Sequence, residues 1–416
     1  MGKKGKGLLI LSFLLCTMML FGCDKEKYEA IDTIHNNIGF KYSGEFVDLS
    51  PIEDDLKDNM IFFVGESHGM RENFIIKKEF VLYMKENNNF KYLLSEESPA
   101  DAYLHNKYLK TGDITIIDDM FKNLEGTFSW NKDSYEFLKW MYEYNQTLPE
   151  EDRITYVGSD IVHQFGTGLK VLQEVLNNYE VPDEIKAEVE KINSMKCYDK
   201  WIGHENTVKL AGNSKALLEK IEDNKEVYSK KYGEDFVYLH GILKGIVSGI
   251  EAYDNENGEF FNFTQYRDKA MYEIFNIYFE HLPEGKYFGQ WGDAHAYQNS
   301  PTEVKWFATY LNEDQRYKDK IITVQLSYYN SKRMGKKRGG YTKEKYDNFT
   351  KINILTTKNY NEKNKLYKLN EEGSVFSKGL NFKFNPYLIP TEGVTTDYVQ
   401  YFIKIEDAIP TEPLEK

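Results

Sequence analysis

Short apolar segments alternate with amphipathic segments after residue 58, and this alternation is the feature that most constrains the fold. Each apolar segment ends in glycine, serine or an acid, as buried strands often do. The predicted strands are NMIFFVG (59–65), FKYLLSEES (90–98) and RITYVGSDI (153–161). The predicted helices are RENFIIKKEFVLYMKEN (71–87), SPADAYLHNKYL (98–109) and SYEFLKWMYEYNQ (134–146). This order predicts an α/β fold with a largely parallel central sheet flanked by helices.

The middle of the chain has a different pattern. From Gln164 to about His281 the apolar residues follow helical spacing almost throughout, which predicts an inserted helical subdomain at about 164–281. Later strands are predicted in EGKYFGQWGDAHAY, DKIITVQLSYY, TKINILTT and DYVQYFIKIEDAI. We therefore expect an α/β domain over residues 59–412, preceded by a tether and N-terminal segment at 23–58.

The N-terminus is typical of an exported lipoprotein. A cationic MGKKGKG precedes the apolar LLILSFLLCTMMLFG, which is short for a membrane span. The Gly22-Cys23 junction predicts a lipoprotein signal peptide at 1–22, lipidation of Cys23 and a cell-membrane protein facing outside the cytoplasm. A plain secretory leader with an incidental cysteine is the alternative. With Cys16 removed and Cys23 lipidated, Cys197 has no disulfide partner.

The charge of the chain argues against a nucleic-acid partner. The formal net charge is −13, and a net acidic protein repels phosphate backbones. The local exception is the basic segment SKRMGKKRGG (331–340). We interpret it as a solvated loop rather than an anion-binding patch.

Titratable residues follow the predicted strands at their carboxyl ends, where ligands of parallel sheets gather. They are Glu66 and His68, then Glu96 and Glu97, then Asp160, and finally Asp293 and His295. His68 is the leading candidate for a base, because imidazole accepts a proton near neutral pH and Glu66 can orient it. Glu96 and Glu97 should point to opposite faces, so only one is expected to serve the site.

A cation is also expected there. Arg267, beside Asp268 at a helix start, is suited to hold a carboxylate or to stabilise a developing oxyanion. We assign catalytic roles to Glu66, His68, Glu97, Arg267 and His295. Supporting or substrate-binding roles are expected for Arg71, Glu96, Asp160, Asp268 and Asp293.

The ordered blocks VGESHG, SEES, SWNKDSYEFLKWMYEYN, ITYVGSD, RDKAMYEIF and WGDAHAY resemble the erythromycin esterase-like family. That family belongs to a wider superfamily with haem-uptake proteins and Tiki-type metallopeptidases. The resemblance implies a hydrolase in which His68 activates water without a metal or cofactor. It also implies that Glu66 and Glu97 match acidic positions and that His295 matches the second histidine of a late His-x-x-His.

Two departures bear on the substrate. Glu66 and His68 are two positions apart, whereas the family usually has three, and the first histidine of the late pair is Gly292 here. The expected function is hydrolysis of an ester or amide of a small molecule outside the cytoplasm. The alternatives are a Tiki-type metal-dependent hydrolase, with Zn²⁺ or Mn²⁺ held by these same strand-end groups, and a non-enzymatic binder of haem or another ligand.

Overall fold

The computed structural model describes residues 49–197, 202–256, 260–337, 340–348, 366–381, 388 and 390–414. The predicted leader, Cys23 and the predicted strand TKINILTT lie outside these residues. Within them, none of the helices is both long and apolar enough to cross a bilayer.

A seven-stranded sheet forms the centre of the fold, and all its neighbouring strands are parallel except the last pair. Its strands are β1 (Ile61–Glu66), β2 (Tyr92–Ser95), β3 (Thr155–Gly158), β4 (Tyr287–Gly292), β5 (Ile321–Tyr329), β8 (Leu366–Lys368) and β9 (Tyr401–Glu406). They lie in the order β3-β2-β4-β1-β5-β9-β8, with β8 antiparallel to β9. The predicted α/β class is confirmed.

Helices cover both faces of this sheet. They are α1 (Glu53–Asp58), α2 (Arg71–Asn88), α3 (Pro99–Thr111), α4 (Ile114–Leu124), α5 (Lys132–Thr147) and α12 (Phe307–Glu313). Along β1, Phe62 and Val64 pack into the core that contains α2, α4 and α5, while Ile61 and Phe63 pack into the opposite core. This alternation is the period of a strand that is buried on both faces.

A run of helices occupies the segment between β3 and β4. It consists of α6 (Phe165–Asn177), α7 (Lys186–Asn193), α8 (His204–Asp223), α9 (Lys225–Tyr232), α10 (Phe236–Asp254) and α11 (Phe260–His281). These helices share an apolar core of their own, built around residues such as Leu172, Leu217 and Ile242. The last helix, α11, also packs on the sheet through Met271 and Phe275.

The basic segment at 331–340 is not a loop, so this interpretation is wrong. It forms β6 (Ser331–Lys337), which pairs in antiparallel register with β7 (Gly340–Tyr346). Tyr341 fixes the hairpin to the segment between α4 and α5, because its ring stacks on Trp130 with 5.6 Å between centroids. Tyr341 also donates to Thr127 O at 3.1 Å.

Candidate active site

His68 lies two residues after the carboxyl end of β1 and is a partly exposed residue of the candidate site. Its Nδ1 atom hydrogen-bonds Glu66 Oε1 at 2.6 Å, and 44% of its side chain is exposed. Gly69, with φ of +93°, lets the chain turn sharply into α2. A Cβ there would lie 2.6 Å from Met334 O, so only glycine fits between this turn and the hairpin.

Residues 409–413, which we call the brace, hold this turn from the far end of the sequence. Thr411 N donates to Gly69 O at 3.1 Å, and Arg71 N donates to Ile409 O at 3.0 Å. In return Ile409 N donates to Glu72 Oε2 at 3.0 Å, between residues 337 positions apart. The position of His68 therefore depends on β1, the hairpin and the brace together.

A buried network fixes the other oxygen of Glu66. Asn73 Nδ2 donates to Glu66 Oε2 and, at 2.9 Å, to Ser67 O. Asn73 is itself oriented by Tyr328, whose hydroxyl donates to Asn73 Oδ1 at 2.6 Å. Because both carboxylate oxygens are engaged, Glu66 presents Oε1 to His68 in one orientation.

The charges around His68 favour its protonated form. Desolvation opposes the charge, but the hydrogen bond to Glu66 and the carboxylates of Glu66, Glu96 and Asp293 outweigh it and raise the pKa of His68 to about 9. Burial instead favours the neutral form of Asp293 and raises its pKa to about 6, despite the nearby His68. A neutral His68, the form that accepts a proton, is therefore populated most at alkaline pH.

Glu96, which follows β2, connects the end of β4 with helix α11. Its Oε2 accepts from Gly292 N at 2.8 Å, at the end of β4, and its Oε1 accepts from Arg267 Nη2 at 2.9 Å. Oε1 also lies 3.5 Å from His295 Nε2. Although burial favours the neutral acid, the charges of His295, Arg267 and His68 lower the pKa of Glu96 to about 2.

Arg267 lies in the second turn of α11 and is held by two carboxylates. Its Nε and Nη2 donate to the two oxygens of Asp160 at 2.9 and 2.6 Å, and Nη2 also donates to Glu96. Asp160 is 1% exposed, and Arg267 with His163 overcomes that burial and holds its pKa well below the usual range. Its Nη1 lies 3.2 Å from His295 Nε2, so all three nitrogens of the guanidinium have a described partner.

His295 lies behind this ion cluster. Its Nδ1 lies 2.7 Å from Asp268 Oδ1, and only 7% of the residue is exposed. Asp268 is fully buried and accepts as well from Phe307 N at 2.7 Å. Burial opposes protonation, but Asp268 and Glu96 raise the pKa of His295.

A cavity of about 460 Å³ opens in front of His68 and Arg267. That volume suits a small organic molecule. One wall is apolar and comes from α2, α4, α5 and the segment between the last two: Phe74, Met120, Phe121, Leu124, Phe128, Phe137 and Leu138. The lining also contains the acids Glu66, Glu96, Glu97, Asp101 and Asp160. The cavity therefore combines apolar surface with polar, titratable groups.

The structure brings most of the predicted residues together, but it exchanges the two glutamates. Glu96, not Glu97, contacts Arg267 and lies by His295. Glu97 also lines the cavity, where it accepts from Ser95 Oγ at 2.9 Å and lies 3.1 Å from His105 Nδ1. Both side chains line the same cavity, whereas the sequence analysis expected only one of them to serve the site.

Four other predicted residues are not at the cavity surface: Arg71, Asp268, Asp293 and His295. Arg71 does not line the cavity; its Nε lies 3.8 Å from Asp133 Oδ1 and 56% of its side chain is exposed. His295 is shielded from the cavity by Arg267 and Glu96, so it contacts the site only through them.

The cavity residues that the sequence analysis did not single out include His163, Lys77 and His105. His163 lies 3.1 Å from Asp160 Oδ2 through Nε2, and its position three residues after a strand-end acid could have revealed it. Lys77 and His105 lie inside helices α2 and α3, where nothing in the local pattern distinguishes them. Burial lowers the pKa of Lys77 despite the carboxylates of Glu97 and Glu66.

No three histidine, cysteine, aspartate or glutamate side chains among the described residues converge as metal ligands would. The pairs that lie close are instead joined by direct hydrogen bonds, as between His68 and Glu66.

Comparison with known proteins identifies both a family and a fold. The family model described as erythromycin esterase matches residues 85–299, just over half of the chain. No curated protein matches the sequence at a significant level. A Bacillus cereus protein has a similar structure, with a TM-score of 0.68 at 18% identity, covering 93% of this chain and 99% of its own.

Two further solved structures agree. A succinoglycan biosynthesis protein aligns with a TM-score of 0.71 at 14% identity, over 93% of this chain and 98% of its own. A histidine-to-asparagine mutant of erythromycin esterase EreC, in its open conformation, aligns with a TM-score of 0.63 at 14% identity, over 88% of this chain and 96% of its own. At such low identity these likenesses establish a shared fold.

Proposed function

The chain belongs to the erythromycin esterase family, and on that premise we propose that it hydrolyses an ester or amide of a small molecule with His68 as the base. The observation that carries the proposal is the Glu66–His68 hydrogen bond at 2.6 Å, made by a ring that faces the cavity. Among the described residues, Nε2 of His68 has no hydrogen-bond partner, so this nitrogen is free to take a proton from water.

Gly292 leaves room for that water. A Cβ at position 292 would lie 3.4 Å from His68 Nε2 and 3.4 Å from Glu96 Oε2. A water in the adjoining space would be within reach of both atoms, one as acceptor of its proton and the other as a positioning carboxylate. Because residue 292 has no side chain to fill this space, the water can approach a substrate carbonyl held in the cavity.

The reaction then needs few further groups. The water oxygen attacks the carbonyl carbon while neutral His68 takes one proton, and the tetrahedral intermediate carries a negative charge on the former carbonyl oxygen. Arg267, which is held by Asp160 and Glu96 and lines the cavity, supplies a fixed positive charge for that oxygen. Collapse breaks the carbon–heteroatom bond, and the His68 imidazolium returns the proton to the leaving alcohol or amine.

The remaining predicted residues do not act directly on the attacking water. His295 and Asp268 are positioning residues, because His295 contacts Arg267, Asp268 contacts His295, and neither lines the cavity. Glu97, paired with His105, lines the cavity and contacts the substrate rather than the water. Asp293 supports the charged form of His68.

We also propose that the protein is anchored outside the cytoplasm by a lipid on Cys23. The sequence LFGC and the preceding apolar segment support this. The test is the distribution of the full chain between membrane and soluble fractions. Cys23→Ala should move the protein to the soluble fraction, and a variant that still sediments with membranes would contradict the anchor.

The test of the hydrolase is turnover of para-nitrophenyl esters by the purified chain. His68→Ala should lower kcat/KM by about 10²–10⁴-fold, the usual contribution of a positioned base. His204→Ala removes an exposed imidazole at the start of α8 and should leave the rate unchanged. Equal rates in wild type and His68→Ala, with both proteins folded by circular dichroism, would refute the proposal.

A further inference from the structure

Lys336, on strand β6 of the hairpin, is a cation of the cavity lining that is not part of the machinery described above. Its side chain lines the cavity, and its Nζ lies 4.7 Å from the centre of the Phe128 ring. In the described part of the chain no carboxylate pairs with this ammonium group. The other basic residue on this strand that has a described partner, Arg333, lies 3.5 Å from Glu344.

The position of Lys336 is fixed by the fold. Lys336 pairs across the hairpin with Tyr341, the residue that stacks on Trp130 and accepts from Gly126 N at 3.0 Å. Two positions earlier Met334, on the same face of β6, is buried, and its N donates to Gly69 O at 2.8 Å. The strand that carries Lys336 is thus bonded to the same turn that carries His68.

The distance from His68 is also bounded. The Phe128 ring centre lies 5.9 Å from that of His68 and 4.7 Å from Lys336 Nζ, so the ammonium is at most about 11 Å from the imidazole. An ester whose carbonyl lies against His68 reaches Lys336 with a substituent roughly four to six bonds away. Phe128 between them provides an apolar surface for the intervening carbons.

From this arrangement we propose that Lys336 recognises a carboxylate on the substrate, so that the preferred substrates are anionic esters or amides. The inference rests on the proposed hydrolase function and names its substrate class. Charge complementarity supports it: Lys336 has no described carboxylate partner, so its charge can pair with an anionic group of the substrate, whereas Arg267 is already held by Asp160 and Glu96.

The experiment compares a matched pair of esters on the full chain. The anionic probe is the mono-para-nitrophenyl ester of adipic acid, and the neutral probe is para-nitrophenyl hexanoate. Lys336→Met keeps the length of the side chain over Phe128 but removes the charge. We expect kcat/KM for the anionic ester, relative to the neutral one, to fall about fivefold, the scale of one partly exposed charge pair.

Lys337→Met is the matched control, because Lys337 is exposed, follows directly and points to the other face of the hairpin. It should leave the ratio of the two rates unchanged. An unchanged ratio in Lys336→Met, or an equal fall in Lys337→Met, would overturn the inference. Loss of both rates together in Lys336→Met would also overturn it, because that result indicates a structural role.

A binding measurement separates this inference from the hydrolase proposal. The para-nitroanilide of adipic acid and the neutral hexanoyl para-nitroanilide are titrated into wild type and Lys336→Met by calorimetry. A preference for the acid that Lys336→Met abolishes supports the anion site even if neither ester is hydrolysed. Equal affinity of the wild type for the two anilides would overturn the anion site even if the esters are turned over.

Discussion

Oε2 of Glu96 accepts a hydrogen bond from the backbone N of Gly292 at 2.8 Å, which ties the end of β2 to the end of β4 beside His68. The other oxygen of the same carboxylate binds Arg267 on α11. One side chain therefore sets the relative positions of the base, the guanidinium and the backbone that borders the water space.

The two glutamates at the end of β2 should differ in effect. Glu96→Gln weakens the ion pair that holds Arg267, so we expect kcat to fall at least about tenfold, the lower range for loss of a charged hydrogen-bond partner. Glu97→Gln leaves Arg267 untouched and should act mainly on KM. Steady-state kinetics on one ester measures both. A larger fall in kcat for Glu97→Gln would contradict the assignment of Glu96.

The pH dependence of kcat/KM should follow His68. Since the base acts when neutral and its pKa is raised to about 9, the rate should rise with pH up to that region. Glu66→Gln removes the largest stabilisation of the imidazolium and should move this limb towards lower pH. The same shift makes protonated His68 stabilise the fold below its ordinary pKa of 6.5, a contribution lost as the pH rises through 9. A limb that stays in place in Glu66→Gln would contradict this reading.

Removal of Arg267 should destabilise the protein. Arg267→Met leaves Asp160, which is 1% exposed, without its main partner, and we expect a loss of about 3–5 kcal/mol in the free energy of unfolding by urea at neutral pH. Lys269→Met, on the same helix but with an ion pair of 3.8 Å on the surface, should cost under about 1 kcal/mol. Equal costs for the two variants would argue against a structural ion cluster.

Acid should act through the same cluster. The pKa of Glu96 is about 2 in the folded state against an ordinary 4.5, so its contribution to stability is present above pH 4.5 and lost as the pH falls through 2. Arg267→Met removes one of the charges that lower the pKa of Glu96, so this pKa should rise towards its ordinary value. The pH at the midpoint of acid unfolding should therefore be higher in the variant. Acid titrations followed by tryptophan fluorescence test the shift; coincident midpoints for wild type and variant would contradict it.

Position 292 offers a steric test. Gly292→Val places methyl groups beside His68 Nε2 and Glu96 Oε2, and we expect turnover to fall sharply because the attacking water loses its space. Gly212→Val, at a helix position where a Cβ meets nothing within 4 Å, is the control for a general effect of the substitution. Full activity of a folded Gly292→Val protein would place the water elsewhere.

Chelation should not change the rate. In the proposed reaction Glu66 and His68 activate water by proton transfer, so prolonged treatment with EDTA should leave kcat/KM unchanged. Metal content by mass spectrometry is measured on the same samples. Loss of activity that Zn²⁺ or Mn²⁺ restores would favour the metal-dependent alternative.

The convergence of distant strand ends could be predicted because parallel strands point the same way and each carried its polar residues at the same end. The choice between Glu96 and Glu97 could not, because it depends on how the chain turns between Ser95 and the cap of α3 at Ser98. The burial of His295 depends on Asp268 and Trp306, which reach it from separate elements.

The hairpin was missed for a related reason. Its strands are rich in lysine and lack an alternating apolar pattern, so no local signal favours them over a loop. They form because Met334 is buried and Tyr341 stacks on Trp130, and both contacts join residues far apart in the sequence. Lys336 could therefore not be placed at the cavity before the fold was known.

The brace at residues 409–413 has a consequence for biosynthesis. A ribosome completes β1 and the turn after it long before it reaches Ile409 and Thr411, whose backbones secure that turn. A nascent or prematurely terminated polypeptide can thus contain every titratable group of the cluster and still lack a positioned imidazole. Each molecule should therefore become catalytically competent late, in a single step, when the brace binds this turn.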